Sequence, residues 1–193
     1  MVASIALETN PDLIARARAG DDHAWVSIVR QHEEPVFRLA YLILGDVDEA
    51  QDVAQGVFIR AYLKLAQYDD TRPFRPWLMG ITSNLARNRQ RSIGRYLSAL
   101  QRFFHANREE AIAKPPGVDM AAHALWTAVR RLPLIAREVI YLRYFLGLSE
   151  AETAAALSIP KGTVKSRLSR ALEKLRMIIE NDFPELADER FSD

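Results

Sequence analysis

The sequence predicts an all-α protein: two small helical domains joined by a flexible linker, the second containing a helix-turn-helix. Apolar residues recur at helical spacing in both halves. Ala54, Phe58, Ala61 and Leu65 lie at i, i+4, i+7 and i+11, and Val164, Leu168, Ala171 and Leu175 repeat that register. No stretch requires a strand. Between the halves, residues 103–121 change composition and carry the breaker Pro115-Pro116-Gly117, which reads as a linker. At 193 residues and 49% hydrophobic content the chain can fill one large or two small cores.

Taken in order, each element has its own signal. Asn10 caps a short helix with Pro11 at its first position, and Gly20 stops it. Asp21 or Asp22 caps the next, with Trp25, Ile28 and Val29 inward. Pro35 lacks a backbone N–H, so a break is expected near Glu33–Glu34, with a new helix running through Phe37, Leu39, Leu42 and Ile43 to Gly45. Asp46 then caps a helix reaching about Gln67, with Glu49 completing a capping-box-like pair. Residues 68–72 form a polar loop. Pro73 or Pro76 opens a helix whose apolar stripe is Phe74, Trp77, Leu78, Ile81 and Leu85. Trp77, Asn84 and Arg91 are seven apart, so they line one border of that stripe. An aromatic ring, an amide and a guanidinium aligned this way suit unstacked bases; packing of Trp77 in the core is the plainer alternative.

The second half is more specific. Ser149 and Glu152 make the S-x-x-E capping box, in which hydroxyl and carboxylate each satisfy an orphan amide, so a helix starts at Glu150. Ser158-Ile159-Pro160 ends it, because the residue before proline avoids the helical region. A second helix begins at Lys161. Opposite its buried stripe, Lys165, Ser166, Ser169 and Arg170 are candidate base contacts of a recognition helix. Lys161, Lys165, Arg167, Arg170, Lys174 and Arg176 against the single acid Glu173 supply phosphate neutralisation, or else simply a solvated basic face.

Composition narrows the function. The net charge of +1 conceals segregation: residues 84–108 hold six arginines and no acid, while residues 180–193 hold six acids and one arginine. With no cysteine there is no disulfide, thiol switch or thiolate metal site. No run is apolar enough to span a bilayer and no secretory leader is evident, so a soluble cytoplasmic protein without membrane insertion is expected. His32-Glu33-Glu34 has Val36 where a second zinc-binding histidine would stand. The expectation is therefore no metal, no cofactor and no catalytic site.

The stretch DEAQDVAQGVFIRAYLKLAQYDDTRPFRPWLMGITSNLARNRQRS resembles domain 2 of bacterial sigma factors of the extracytoplasmic-function group, group 4 of the sigma-70 family. LPLIAREVIYLRYFLGLSEAETAAALSIPKGTVKSRLSRALEKLR resembles their domain 4. The resemblance covers roughly residues 10–92 and 122–178, in the family's order. It implies a factor that binds core RNA polymerase and directs it to promoter DNA, with an anti-sigma factor as a further partner. On this resemblance Asp48, Asp52, Gln55 and Phe58 meet core polymerase, and Tyr68, Phe74, Trp77, Asn84, Arg87 and Arg91 serve the minus-ten element. The upstream, minus-thirty-five, element falls to Lys161, Thr163, Lys165, Ser166, Arg167, Ser169 and Arg170. The implied division is domain 2 over 1–102, a linker over 103–121, domain 4 over 122–179 and an acidic tail over 180–193.

Two positions depart from the pattern. Gly56 stands where an acid usually follows Gln55, and Thr153 replaces an aliphatic residue in the first helix of the helix-turn-helix. The alternatives are a stand-alone helix-turn-helix regulator with an N-terminal dimerisation domain, and a sigma-like protein that only sequesters an inhibitor. The basic residues at 161–176 argue against the latter.

Overall fold

The structure is a computed structural model and describes residues 9–104 and 120–183, with side chains undescribed over 97–104 and 120–123. The core of the linker and most of the acidic tail lie outside the described residues. Within them every regular element is helical: α1 (Pro11–Arg18), α2 (Asp22–Leu44), α3 (Val47–Lys64) with a 3₁₀ turn Leu65–Gln67, α4 (Phe74–Phe104), α5 (Met120–Arg130), α6 (Leu134–Ile140) with a π-turn Tyr141–Phe145, α7 (Glu150–Leu157) and α8 (Lys161–Asp182).

Local chemistry sets most of the boundaries. The side chains of Asn10, Asp21 and Asp46 accept from the amides of Asp12, Ala24 and Glu49, satisfying orphan donors at three helix starts. Gly45 ends α2 in the left-handed region at φ 76°, which glycine adopts without a Cβ penalty. Ser149 and Glu152 form the reciprocal box at α7, at 3.2 and 2.7 Å. Ser158 closes α7 at φ 54°, the only left-handed non-glycine among the described residues.

Two expectations are corrected. Pro35 does not break the second helix, which runs unbroken over 23 residues. An interior proline costs on the order of 3 kcal/mol. Here Val36, Leu39, Ala40 and Ile43 beyond it are fully buried, as is Ile28 before it, and their burial holds both halves in line. The capping box expected at α3 is half formed: Asp46 caps, but the Glu49 carboxylate pairs instead with Arg89 on α4.

Helices α1 to α4 form the first domain, where α2, α3 and α4 pack mutually around Ile28, Leu39, Ile43, Val57, Ala61, Leu78 and Met79. Each of these side chains larger than alanine, fully buried, contributes roughly 1.5–3 kcal/mol. Helices α5 to α8 form the second, around Leu132, Val139, Leu142, Leu148 and Val164. The domains then seat on one another, α7 lying against α4.

Candidate polymerase and promoter surfaces

Three surfaces gather the residues singled out in the sequence. The first is a groove between α2 and α3, about 620 Å³, lined by Trp25, Val29, Phe37, Ala54, Gln55, Phe58, Ile59 and Tyr62 among others. Its lining is mostly apolar, with Asp22, Glu33, Gln51 and Gln55 as the polar members. Asp48, Asp52 and Gln55 are exposed along α3 and Phe58 is half-buried. Ile59 and Leu63 are 57% and 72% exposed, an unusual outlay of aliphatic surface beside that groove. Gly56 sits among them, and a Cβ there would meet nothing within 4 Å. Gly56→Ala should therefore stabilise α3 by up to about 1 kcal/mol, read as a raised midpoint in urea. A lowered midpoint would mean that the bare glycine is needed.

The second surface is built on the 68–73 loop and α4. Tyr68, Phe74 and Trp77 cluster with centroids 4.9–5.3 Å apart, Tyr68 and Phe74 buried and Trp77 half-buried. Burial, and then Asp70 and Asp69, push the Tyr68 hydroxyl up to about 12; it donates to the carbonyl of Arg72 and closes the loop on itself. Arg18 of α1 clamps the outside, donating to Asp70 at 2.7 and 2.8 Å and to the carbonyls of Leu65 and Tyr68. Nothing local in the sequence marks Arg18 for this task. Beneath the loop His32 is fully buried, its Nε2 2.6 Å from the Thr9 hydroxyl, and burial followed by Arg75 lowers it to about 4. It is a neutral packing group. Asn84 and Arg91 are exposed on α4; Arg87 is half-buried and donates to Asn84.

The third surface is α8. Val164, Ala171, Leu175 and Ile179 are buried in one stripe, with Leu168 half-buried in the same register. Lys161, Lys165, Ser166, Ser169 and Arg170 are exposed on the other side. Arg170 Nε donates to the Ser166 carbonyl at 3.1 Å. Thr163 and Arg167 are half-buried at its flank. Thr153 on α7 is fully buried with its hydroxyl unpartnered, so its methyl packs while its oxygen forfeits a hydrogen bond.

Sequence reasoning missed what joins the second and third surfaces. Glu138 on α6 is 1% exposed, its Oε1 3.4 Å from Arg87 Nε, with Arg167, Arg137 and Arg91 also acting on it. At that separation neither atom gains a proper hydrogen bond. Burial therefore outweighs the four arginines and pushes Glu138 up to about 7. Arg75 on α4 donates to the carbonyl of Leu146 at 2.6 Å.

A helical protein with an apolar-floored groove on one domain and a basic helix-turn-helix on the other is built to join a protein partner to DNA. Residues 28–96 match the family model described as sigma-70 region 2, and residues 122–175 match sigma-70, region 4. The ECF RNA polymerase sigma factor SigW of Bacillus subtilis is 34% identical over 173 residues, covering 84% of this chain and 92% of that protein. The RNA polymerase sigma-H factor of Pseudomonas aeruginosa is 31% identical over 178 residues, covering 87% and 92%. Among solved structures, CnrH in complex with the cytosolic domain of CnrY superposes with TM-score 0.68 at 25% identity, over 91% of this chain and 99% of that one. The chain belongs to the sigma-70 family, in its extracytoplasmic-function group, and is an RNA polymerase sigma factor. The region 2 match accounts for the first domain, so a stand-alone regulator is not favoured. Among the described residues no helix is long and apolar enough to cross a membrane.

Proposed function

We propose that this sigma factor divides its work along the lines of its domains. Residues 1–102 dock on core polymerase and read the minus-ten element, 103–121 link, and 122–179 read the minus-thirty-five element. Asp48, Asp52, Gln55 and Phe58 meet the polymerase, supported by the exposure of Asp48, Asp52 and Gln55 along α3 and by the place of Gln55 and Phe58 in the lining of the α2–α3 groove. Lys165, Ser166, Ser169 and Arg170 take base edges, while Lys161, Thr163 and Arg167 hold phosphates. At the minus-ten element Asn84 and Arg91 touch DNA directly, with Arg87 beside them. Tyr68, Phe74 and Trp77 act by giving the loop its shape, in keeping with their burial.

The observations that carry the reading are the exposure of Asn84 on α4, the helix that follows the 68–73 loop, and the fixing of that loop from both sides, by the Tyr68 hydroxyl within and Arg18 without. A preformed pocket edge and an amide suit an extruded base. Asn84→Ala should leave capture by core polymerase unchanged while reducing open-complex formation and discrimination among minus-ten variants. An unchanged transcription profile across such a panel would remove Asn84 from the site. Since core polymerase and promoters are cytoplasmic in bacteria, the protein acts there. An anti-sigma factor is a further partner, as the complex of the sigma factor RpoE with the anti-sigma factor NepR from Bartonella quintana illustrates for a structural neighbour.

A further inference from the structure

We propose that Arg18 is a positioning residue of the minus-ten reader, and that through it α1 sets where the 68–73 loop stands. This rests on the assignment of Asn84 and that loop to the minus-ten element. The bonds inside the loop are local. Asp69 accepts from the Thr71 amide at 3.0 Å and from the Thr71 hydroxyl at 2.7 Å, Arg72 pairs with Asp69 at 3.3 Å, and the Tyr68 hydroxyl donates to the Arg72 carbonyl. Such bonds give a loop its shape, not its place on the body of the protein. Burial of Tyr68 and Phe74 seats its two ends. The turn between them, from Asp69 to Arg72, is tethered from α1. Arg18 donates to both carboxylate oxygens of Asp70 at 2.7 and 2.8 Å, to the Tyr68 carbonyl at 3.0 Å and to the Leu65 carbonyl at 3.2 Å. One planar guanidinium thus ties the 3₁₀ turn after α3, the start of the loop and its turn to a single point. Among the described residues no other side chain of α1 is hydrogen-bonded to the loop.

The post that carries this guanidinium is itself fixed. Ile14 and Ala17 of α1 are buried, Asn10 caps the first turn, and just before it the Thr9 hydroxyl lies 2.6 Å from Nε2 of the buried His32 on α2. Toward that first turn, however, the loop stands off. A cavity of about 440 Å³ opens between Asn10, Pro11 and Ile14 on one wall and Tyr68, Thr71 and Pro73 on the other. Packing leaves this gap unfilled, so Arg18 acts as a strut that holds its width. α1 precedes residues 28–96, the span matched to region 2, so the loop is positioned from outside that span. With side chains 30% and 60% exposed, Arg18 and Asp70 form a pair that adds little to stability. The strut acts on recognition instead, because a binding constellation must be held to within about 0.5 Å of its productive geometry.

Full-chain variants assembled with core polymerase test the strut. Arg18→Gln should lower discrimination among minus-ten variants severalfold and weaken base unstacking, read as the fluorescence of an aminopurine placed in turn at each minus-ten position. Asp70→Asn breaks the same fork from its other end and should do likewise. The double variant should lose no more than the larger single loss, since both changes remove one interaction. Arg18→Lys keeps the charge without the planar fork and should restore only part of the discrimination. Capture by core polymerase and binding to an upstream-element duplex should be unchanged in all of them. Ile28→Val thins the core of the same domain without touching the loop; it should lower the urea midpoint at least as far as Arg18→Gln and leave discrimination at the parent's value. Discrimination that follows the urea midpoint across the whole set would make Arg18 a merely structural residue and overturn the proposal. A loss in Arg18→Gln that Asp70→Asn does not share would also overturn it, by making Arg18 a direct phosphate contact. If Asn84→Ala lowers discrimination and Arg18→Gln does not, the strut fails and the minus-ten reading stands. No change in either variant would overturn both together.

Discussion

Replacing Lys165 and Arg170 together by alanine should abolish selective binding to the upstream element. Each exposed side chain, if it reaches a base edge, carries about 1–3 kcal/mol of discrimination. The two lie five residues apart on the helix and share no hydrogen bond, so their losses should add. That is roughly 5- to 150-fold for each. Arg170 is folded onto the Ser166 carbonyl in the free protein and must turn outward, which places its measured loss below that of Lys165. Arg167→Ala is the informative contrast, because that residue is half-buried and near Glu138. It should weaken all duplexes alike and lower the salt slope by about one. Competition binding on matched and scrambled duplexes over a salt series separates the cases. Equal losses on both duplexes in the double variant would reassign Lys165 and Arg170 to phosphate.

Which features can be read in the sequence follows from how local their causes are. The α7 capping box involves residues three apart, and its partners meet as soon as the helix forms. The buried stripe of α8 is likewise a matter of one helix's own spacing. Pro35 defeats a local reading for the complementary reason: its local cost is real, but it is outweighed by packing partners on α3 and α4. Glu49 shows the same competition, its carboxylate leaving a local amide for Arg89, 40 residues away. The base-reading candidates on α8 are legible because exposure follows from the buried stripe opposite. Arg18, Arg75 and Glu138 are not, since each acts on residues 47 or more positions distant and none belongs to a local pattern. Gly80 is invisible for a further reason: its role is a missing atom, which acquires meaning only when Ala156 lies above it.

Glu138→Gln should make the protein more stable at pH 8 than its parent, by up to about 3 kcal/mol, and equal to it at pH 4.5. The folded protein pushes Glu138 from 4.5 up to about 7 through burial. Between those values the native state holds a proton that the unfolded state has lost, so stability falls as pH rises through that window. Glutamine imitates the protonated carboxyl and should show no such fall. His32 titrates over an overlapping range with opposite sign, its folded value of about 4 lying below the usual 6.5. It loses stability as pH falls, which flattens the parent's profile and makes the difference between variant and parent the quantity to measure. Urea midpoints of the full chain at about pH 4.5, 6, 7 and 8 supply it. If glutamine instead destabilises at pH 8, the ion pair with Arg87 outweighs the cost of burial and Glu138 is charged in the folded protein.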